Sequence, residues 1–374
     1  MTVSSAAFIP EKIAKLKEYV PVEADVPVKL DSNENPYPMP EPLRARLCEI
    51  AGTLEYNRYP DPYARELVGK FAKVYGVKPE RVVAGCGSDE VLHLLCQALI
   101  YDGAAVATAP PDFSMYAFYA YLEGGRVITS SRGADGRIDF CELARLAKSD
   151  GCRCVMFSNP CNPTGAVATR DEMLDFVRNA GCPVVVDEAY GEFSGREYSV
   201  LDMAGELPNL IVLKTLSKAF GLAGLRVGFA VAHEDIVRAV KKVKSPYNLN
   251  AFSQAAGAAA LEYAGEIFAL AEKIGKAAKE LYKKLHALSP QGGYEAIEPG
   301  ANFVLLKFFD AADAERVHAE LLRRGISVRL LGGALRITCG TDAENEKFYA
   351  EFERIIKGGI TNERGKAGEG DARD

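Results

Sequence analysis

A chain of 374 residues is too long for one small core and fits one large or two moderate domains. Hydrophobic residues at 48% and charged residues at 26% are ordinary globular values, and a formal net charge of -6 offers no electrostatic footprint for nucleic acid. No apolar run is long enough to span a bilayer, and MTVSSAAFIPEKIAKLKEYVP lacks the charged and apolar regions of a secretory leader, so neither a membrane partner nor export is expected. The nine cysteines are scattered rather than dense. Cys152 and Cys154 form a CxC with Cys161 and Cys182 further on, a spacing that matches no common zinc pattern. Reduced thiols in a cytoplasmic protein, with no metal, are expected. Of the four histidines, His93 falls in the helical run SDEVLHLLCQALI and reads as a packing residue.

Residues 1–35 read as an arm. IPEKIAKLKEYV predicts a short amphipathic helix, and the Pro, Asn and Asp of PVEADVPVKLDSNENPYP argue against a core element. Over 36–245, seven short apolar runs follow one another: RVVAG, AAVATAP, RVITS, CVMFSNP, PVVVDEAY, NLIVLKT and RVGFAVA. Helical patterns such as DEMLDFVRNAG separate several of them. Continuous apolar runs joined by helices predict an α/β fold, a large domain whose mostly parallel seven-stranded sheet lies between helices. A helical stretch is expected from about Ser253 to His286. After it, ANFVLLKF, AERVHAELLRRG, ISVRLL, ALRITCG and ENEKFYAEFERIIK predict a smaller α+β domain within 246–358. Residues 359–374 hold little apolar content and are expected to be disordered.

Four segments carry chemistry. Gly85-Cys-Gly-Ser-Asp-Glu90 follows one predicted strand and opens a helix, where N–H groups and the helix dipole favour a phosphate. It is not a full dinucleotide fingerprint, because Glu90 stands where GxGxxG needs its third glycine. FSNPCNPTG makes a proline-rich turn that projects the amide of Asn162. PVVVDEAY ends a buried strand in Asp187, with Tyr190 three residues on, and a carboxylate there can keep a pyridine nitrogen protonated. In KTLSKAFGLAGLRVG a strand runs into Thr215 and Ser217, then Lys218, then glycines, then Arg226 eight residues after the lysine. A lysine amine forms imines with aldehydes, hydroxyls bind phosphate, and a guanidinium forks onto the same phosphate. Taken singly, each has a bland alternative: Asp187 as a helix cap, Lys218 as a solvated loop residue, the Asn162 turn as a plain turn.

Together, in this order, the segments resemble the fold type I pyridoxal-5′-phosphate (PLP) aminotransferases over roughly residues 28–345. SNENPYP, NRYPDP, PPDFSMY and LRITCG are similar to the histidinol-phosphate aminotransferase branch. The resemblance implies PLP as cofactor and a homodimer with shared active sites. Lys218 matches the Schiff-base lysine, Asp187 the partner of the ring nitrogen, Tyr190 and Asn162 the ligands of the ring oxygen, and Phe113 the aromatic stacked on the ring. Ser88, Asp89, Thr215, Ser217 and Arg226 match the phosphate cradle, and Tyr59 a tyrosine that reaches the neighbouring subunit's cofactor. On the substrate side, Arg336 matches the clamp for an α-carboxylate, Arg329 the arginine for a substrate phosphate, and Tyr19 a tyrosine on the arm. The implied partners are a small amino donor and a 2-oxo acid acceptor, here histidinol phosphate and 2-oxoglutarate. Threonine-phosphate decarboxylation, or transamination of aromatic or other amino acids, uses the same fold and motifs. A nicotinamide oxidoreductase and a non-catalytic binding protein are the readings from other classes.

Overall fold

The computed structural model describes residues 8–18 and 25–358. Tyr19 and the tail 359–374 lie outside them. At the N-terminal end, α1 is a single turn, Glu11–Ala14, so the amphipathic helix expected in the arm is shorter than its pattern suggested. No side chain caps it, and none of its residues is buried. A strand, β1 (Val28–Leu30), follows where no core element was expected.

The next elements build one layered unit. Helices α2 (Glu41–Thr53) and α3 (Arg65–Tyr75) lead into β2 (Val82–Cys86) and α4 (Gly87–Leu99). Then come β3 (Ala105–Thr108), α5 (Met115–Leu122), β4 (Arg126–Thr129), α6 (Phe140–Ala147), β5 (Cys152–Ser158), α7 (Arg170–Ala180), β6 (Val184–Asp187) and α8 (Gly191–Ser194). β7 (Leu210–Thr215), β8 (Val227–Val231) and α9 (Glu234–Val243) complete the series. The helix starts are written locally. Thr169 and Glu172 form a reciprocal capping box on α7, Asp139 accepts two amides at the start of α6, and Gly181 ends α7 in the left-handed region.

The seven predicted apolar runs form one sheet in the order β2-β8-β7-β6-β5-β3-β4. Strands β4, β3, β5, β6 and β7 run parallel, and β8 pairs antiparallel with both β7 and β2. All residues of β3, β6, β7 and β8 are buried, as a sheet covered on both faces requires. Register puts Ser158 opposite Asp187, so the carboxyl ends of neighbouring strands open on one edge.

The helical stretch expected from Ser253 is two helices, α10 (Ala251–Leu261) and α11 (Ala264–Gly292), with a break at Glu262 and Tyr263. Asn250 caps α10 by accepting from Ser253 N. α10 and the first turns of α11, down to Ala278, pack into the core of the large sheet. Farther along, Leu281, Leu285 and Leu288 of α11 belong to a second core. That core lies on a five-stranded sheet of β9 (Tyr294–Ile297), β10 (Phe303–Phe308), β11 (Ile326–Leu331), β12 (Ala334–Thr338) and β1, ordered β1-β11-β12-β10-β9. α12 (Ala311–Arg323) and α13 (Asp342–Lys357) cover it, and β1 pairs parallel with β11 at its edge. No helix among the described residues is long and apolar enough to cross a membrane.

One close approach fixes the start of α4. Gly228 of β8 pairs with Gly85 of β2, and a Cβ on Gly228 would fall 2.2 Å from the backbone N of Ser88. Gly228→Ala should therefore destabilise the protein by about 1–3 kcal/mol in urea denaturation. An unchanged midpoint would mean that the start of α4 is free to shift.

Candidate active site

The carboxyl ends of β3, β5, β6 and β7 open into a cavity of about 450 Å³. Twelve of the fourteen residues singled out in the sequence line it: Ser88, Asp89, Thr215, Ser217 and Arg226 at one end, Phe113, Asn162, Asp187, Tyr190 and Lys218 in the middle, and Arg329 and Arg336 at the other. Tyr19 lies outside the described residues. Tyr59 is 80% exposed, stacks on Tyr247 at 4.5 Å between ring centroids, and takes no part in lining this cavity. A larger cleft of about 1020 Å³ lies behind β7, where buried Lys214 meets Glu192 at 2.6 Å and Glu188 at 3.6 Å, and it contains none of the candidate residues.

Strand β7 ends in Thr215, whose hydroxyl donates to Val227 O at 3.2 Å and accepts from Ser217 N at 3.1 Å. That turn delivers Lys218, whose Nζ donates to Ser32 O at 3.1 Å and sits 5.7 Å from the Tyr190 ring centroid. Arg226 follows in the left-handed region at φ 52°, a strained setting for a residue with a Cβ. Its guanidinium donates to Ser217 Oγ at 3.3 Å and to Asp89 Oδ2 at 3.4 Å. It packs over Gly87 so closely that a Cβ there would lie 2.4 Å from Nη2. A guanidinium, two hydroxyls and the first turn of a 13-residue helix thus converge on one spot, which is a cradle for a phosphate.

Asp187 ends β6 and is 5% exposed. Its Oδ1 accepts from Ala189 N at 3.0 Å and its Oδ2 from Tyr116 Oη at 3.1 Å. Burial pushes its proton affinity up, to a pKa of about 7, while those two hydrogen bonds pull the other way. The Tyr190 hydroxyl accepts from Asn33 Nδ2 at 3.0 Å, and its ring meets Phe303 edge-on at 5.2 Å. Asn162 Oδ1 accepts from Arg336 Nη1 at 2.5 Å. Arg336 also donates to Asp31 O at 2.9 Å and lies over the Phe303 ring. Arg329 of β11 and Arg336 of β12 are direct antiparallel partners, so their side chains share one face of the small sheet.

Reading the sequence missed Asn33, Tyr116, Asp112 and Ser158. Asn33 joins the two sheets, since its backbone N donates to Thr338 Oγ1 at 2.9 Å while its side chain holds Tyr190. Its φ of 53° is the kind of turn that Asn tolerates, and SNENPYP carried that signal. Tyr116 stands three residues after Phe113 in PPDFSMY, and both line the cavity.

These residues fit PLP. Donors suited to a phosphate, a lysine amine and a buried carboxylate that needs a proton or a cation beside it stand along one cavity, the functional groups that a phosphorylated pyridine aldehyde calls for. The chain belongs to the aminotransferase class I and II family, whose pattern it matches over residues 25–352. It is similar to histidinol-phosphate aminotransferase of Thermoanaerobacter pseudethanolicus, 38% identical over 352 residues, covering 92% of this chain and 98% of the relative. The same-named protein of Desulfitobacterium hafniense is 37% identical over 356 residues, covering 92% and 96%. Among solved structures, histidinol-phosphate aminotransferase from Sinorhizobium meliloti in complex with pyridoxal-5′-phosphate matches with a TM-score of 0.84 at 23% identity, covering 94% of this chain and 98% of that one.

Asp187 also makes a pH prediction. Its pKa is about 7 in the folded protein against an ordinary value of 3.8, so the fold keeps a proton that the unfolded chain has lost, and stability from this group falls as pH rises between those values. In the cofactor-free protein, Asp187→Asn should gain stability relative to the parent across that window, by up to about 4 kcal/mol. Urea melts at a series of pH values measure this, and a constant difference would show that the carboxyl titrates normally.

Proposed function

We propose that this chain is a PLP-dependent aminotransferase that exchanges an amino group between histidinol phosphate and 2-oxoglutarate, giving imidazole acetol phosphate and glutamate. The observation that carries the reading is the gathering, in one cavity, of a lysine amine, a buried carboxylate, an anion cradle and two arginines on one sheet face. Its substrate follows the named activity of relatives that are 34–38% identical over nearly the whole chain.

When bound, PLP supplies an aldehyde for an amine and an electron-poor ring that takes up charge from the substrate Cα. Lys218 would anchor the cofactor through its amine and serve as the base that removes and returns the substrate Cα proton. Asp187 would serve the ring nitrogen and hold it protonated. Tyr190 and Asn162 would hold the ring oxygen, and Phe113 would supply an apolar wall for the ring. Ser88 and Asp89 through backbone N–H, with Thr215, Ser217 and Arg226, hold the phosphate. Arg336 grips the α-carboxylate of glutamate with its planar fork. Arg329, its neighbour across the strands, takes the phosphate of histidinol phosphate or the side-chain carboxylate of glutamate. Tyr19 is given a substrate-side role in this reading by the resemblance alone.

The active unit in this reading is a homodimer in the cytoplasm. Support for the dimer comes from Tyr59 and Tyr247, a stacked pair of exposed rings outside their own chain's cavity; in this reading Tyr59 serves the cofactor phosphate of a second copy. All nine cysteines are free thiols, which suits a reducing compartment.

Absorbance spectroscopy of the purified protein tests the reading. A visible cofactor band is expected that histidinol phosphate bleaches, 2-oxoglutarate restores, and Lys218→Ala abolishes. No band even after added PLP would overturn the cofactor assignment. Carbon dioxide release from threonine phosphate would replace the transaminase by a decarboxylase. In steady-state kinetics, Arg336→Ala should lower kcat/KM for glutamate about 10–100-fold, and an unchanged value would remove Arg336 from the carboxylate site.

A further inference from the structure

Buried groups with no role in the scheme above cluster where the strand order reverses, between β3 and β5. From β3 the chain proceeds to β4 on one side, and β5 then inserts on the other. The loops leaving β3 and β5 therefore face each other across a crevice. Asp112, in the first loop, places its carboxylate there. Its Oδ2 lies 2.6 Å from Arg132 Nη2, and each of the two side chains is 3% exposed. Asp112 Oδ1 accepts from Phe113 N at 2.8 Å and, in a short hydrogen bond, from the hydroxyl of Ser158. Oδ2 also accepts from Ser158 N at 3.2 Å. Arg132 directs its other donors to Ala109 O at 2.6 Å and Gly136 O at 3.0 Å. Ser158 Oγ in turn accepts from Asn162 N at 3.1 Å.

One carboxylate is thus a single hydrogen bond from the backbone of Phe113 and two from that of Asn162. An ion pair this deep contributes little stability beyond what apolar side chains of the same volume would, because desolvation offsets the Coulomb attraction. Its hydrogen bonds, however, are directional, and they run to the loops that carry two residues of the ring slot. We infer that Asp112, neutralised by Arg132, is a positioning residue for the cofactor ring, holding Phe113 and, through Ser158, Asn162 in fixed relation to each other. The inference rests on the cofactor reading above.

The test compares the PLP-loaded parent and variants by the rate of cofactor release into a PLP trap and by the pH midpoint of the visible band. Asp112→Ala should speed release about tenfold or more. It should also move the midpoint upward, because an amide donor that is no longer held at the ring oxygen stabilises the ionised oxygen less. In a Phe113→Ala/Asn162→Ala background the same substitution should change release less than about threefold, since the groups it orders are gone. An equal factor in both backgrounds would mean that Asp112 only supports the fold, and would overturn the inference. If Asp112→Ala does not fold, Ser158→Ala serves, because it leaves the ion pair in place. It should raise the band's midpoint, and an unmoved midpoint overturns the inference. A parent protein without the band overturns the cofactor reading and this inference with it, whereas a normal parent with an indistinguishable Asp112→Ala overturns this inference alone.

Discussion

A carboxylate held out of water at the end of a parallel strand is the constraint around which the rest of the molecule is arranged. Asp187 is buried because β6 is a central strand covered on both faces, and its charged form is disfavoured for that reason. A tyrosine hydroxyl and one amide are its hydrogen-bond partners, and neither neutralises a full charge. A ligand that brings a proton or a positive ring nitrogen is what such a group accommodates best. Because β5 and β7 run parallel to β6, their carboxyl ends deliver Ser158, Asn162, Thr215 and Lys218 to the same edge. The site is a consequence of strand direction first and of side-chain choice second.

The small sheet supplies another wall of the cavity. Its hairpin of β11 and β12 places two arginines side by side, and Arg336 reaches the Asn162 amide that belongs to the large sheet. Asn33 makes the matching connection from the other direction, between Thr338 and Tyr190. Helix α11 runs through both cores, with small residues such as Ala271 and Ala278 buried in the first and leucines in the second. Gly275 lets that helix approach the α8 backbone, where a Cβ would lie 2.5 Å from Phe193 O.

Much of this was legible in the sequence because most strands of the large sheet are buried and lie in unbroken apolar runs flanked by turn residues. Runs such as PVVVD and NLIVLK have only one way to be satisfied, and the seven runs became the seven strands. What escaped notice was short or was decided by distant partners. β1 has three residues, too few for a period to show, and it exists because β11 offers an edge. β9 is a four-residue strand directly after the glycine that ends α11. The pattern of Ser253 to His286 was helical throughout, and nothing local marked the break at Glu262 and Tyr263. Of the site, the residues in strong motifs could be named in advance. Asp112, Ser158, Tyr116 and Asn33 act through hydrogen bonds to those residues, and such pairings depend on which loops the topology brings together.

The pairing of β1 with β11 also says something about the order in which this protein is made. Asn33 and Thr338 are hydrogen-bonded across 305 positions of sequence. β1 must therefore wait until the chain as far as β11 has followed before its partner exists. Domains generally fold as units during synthesis, N-terminal parts first. Here the seven strands of the large sheet are available well before Ile326 appears, while Val28 to Leu30 remain an unpaired edge. The contacts around Asn33 and Arg336, which join the two sheets at the cavity, can form only once β12 has been made. A nascent chain stalled short of β11 would carry Lys218 and the groups around Arg226 without Arg329 and Arg336, and so one end of the cavity before the other.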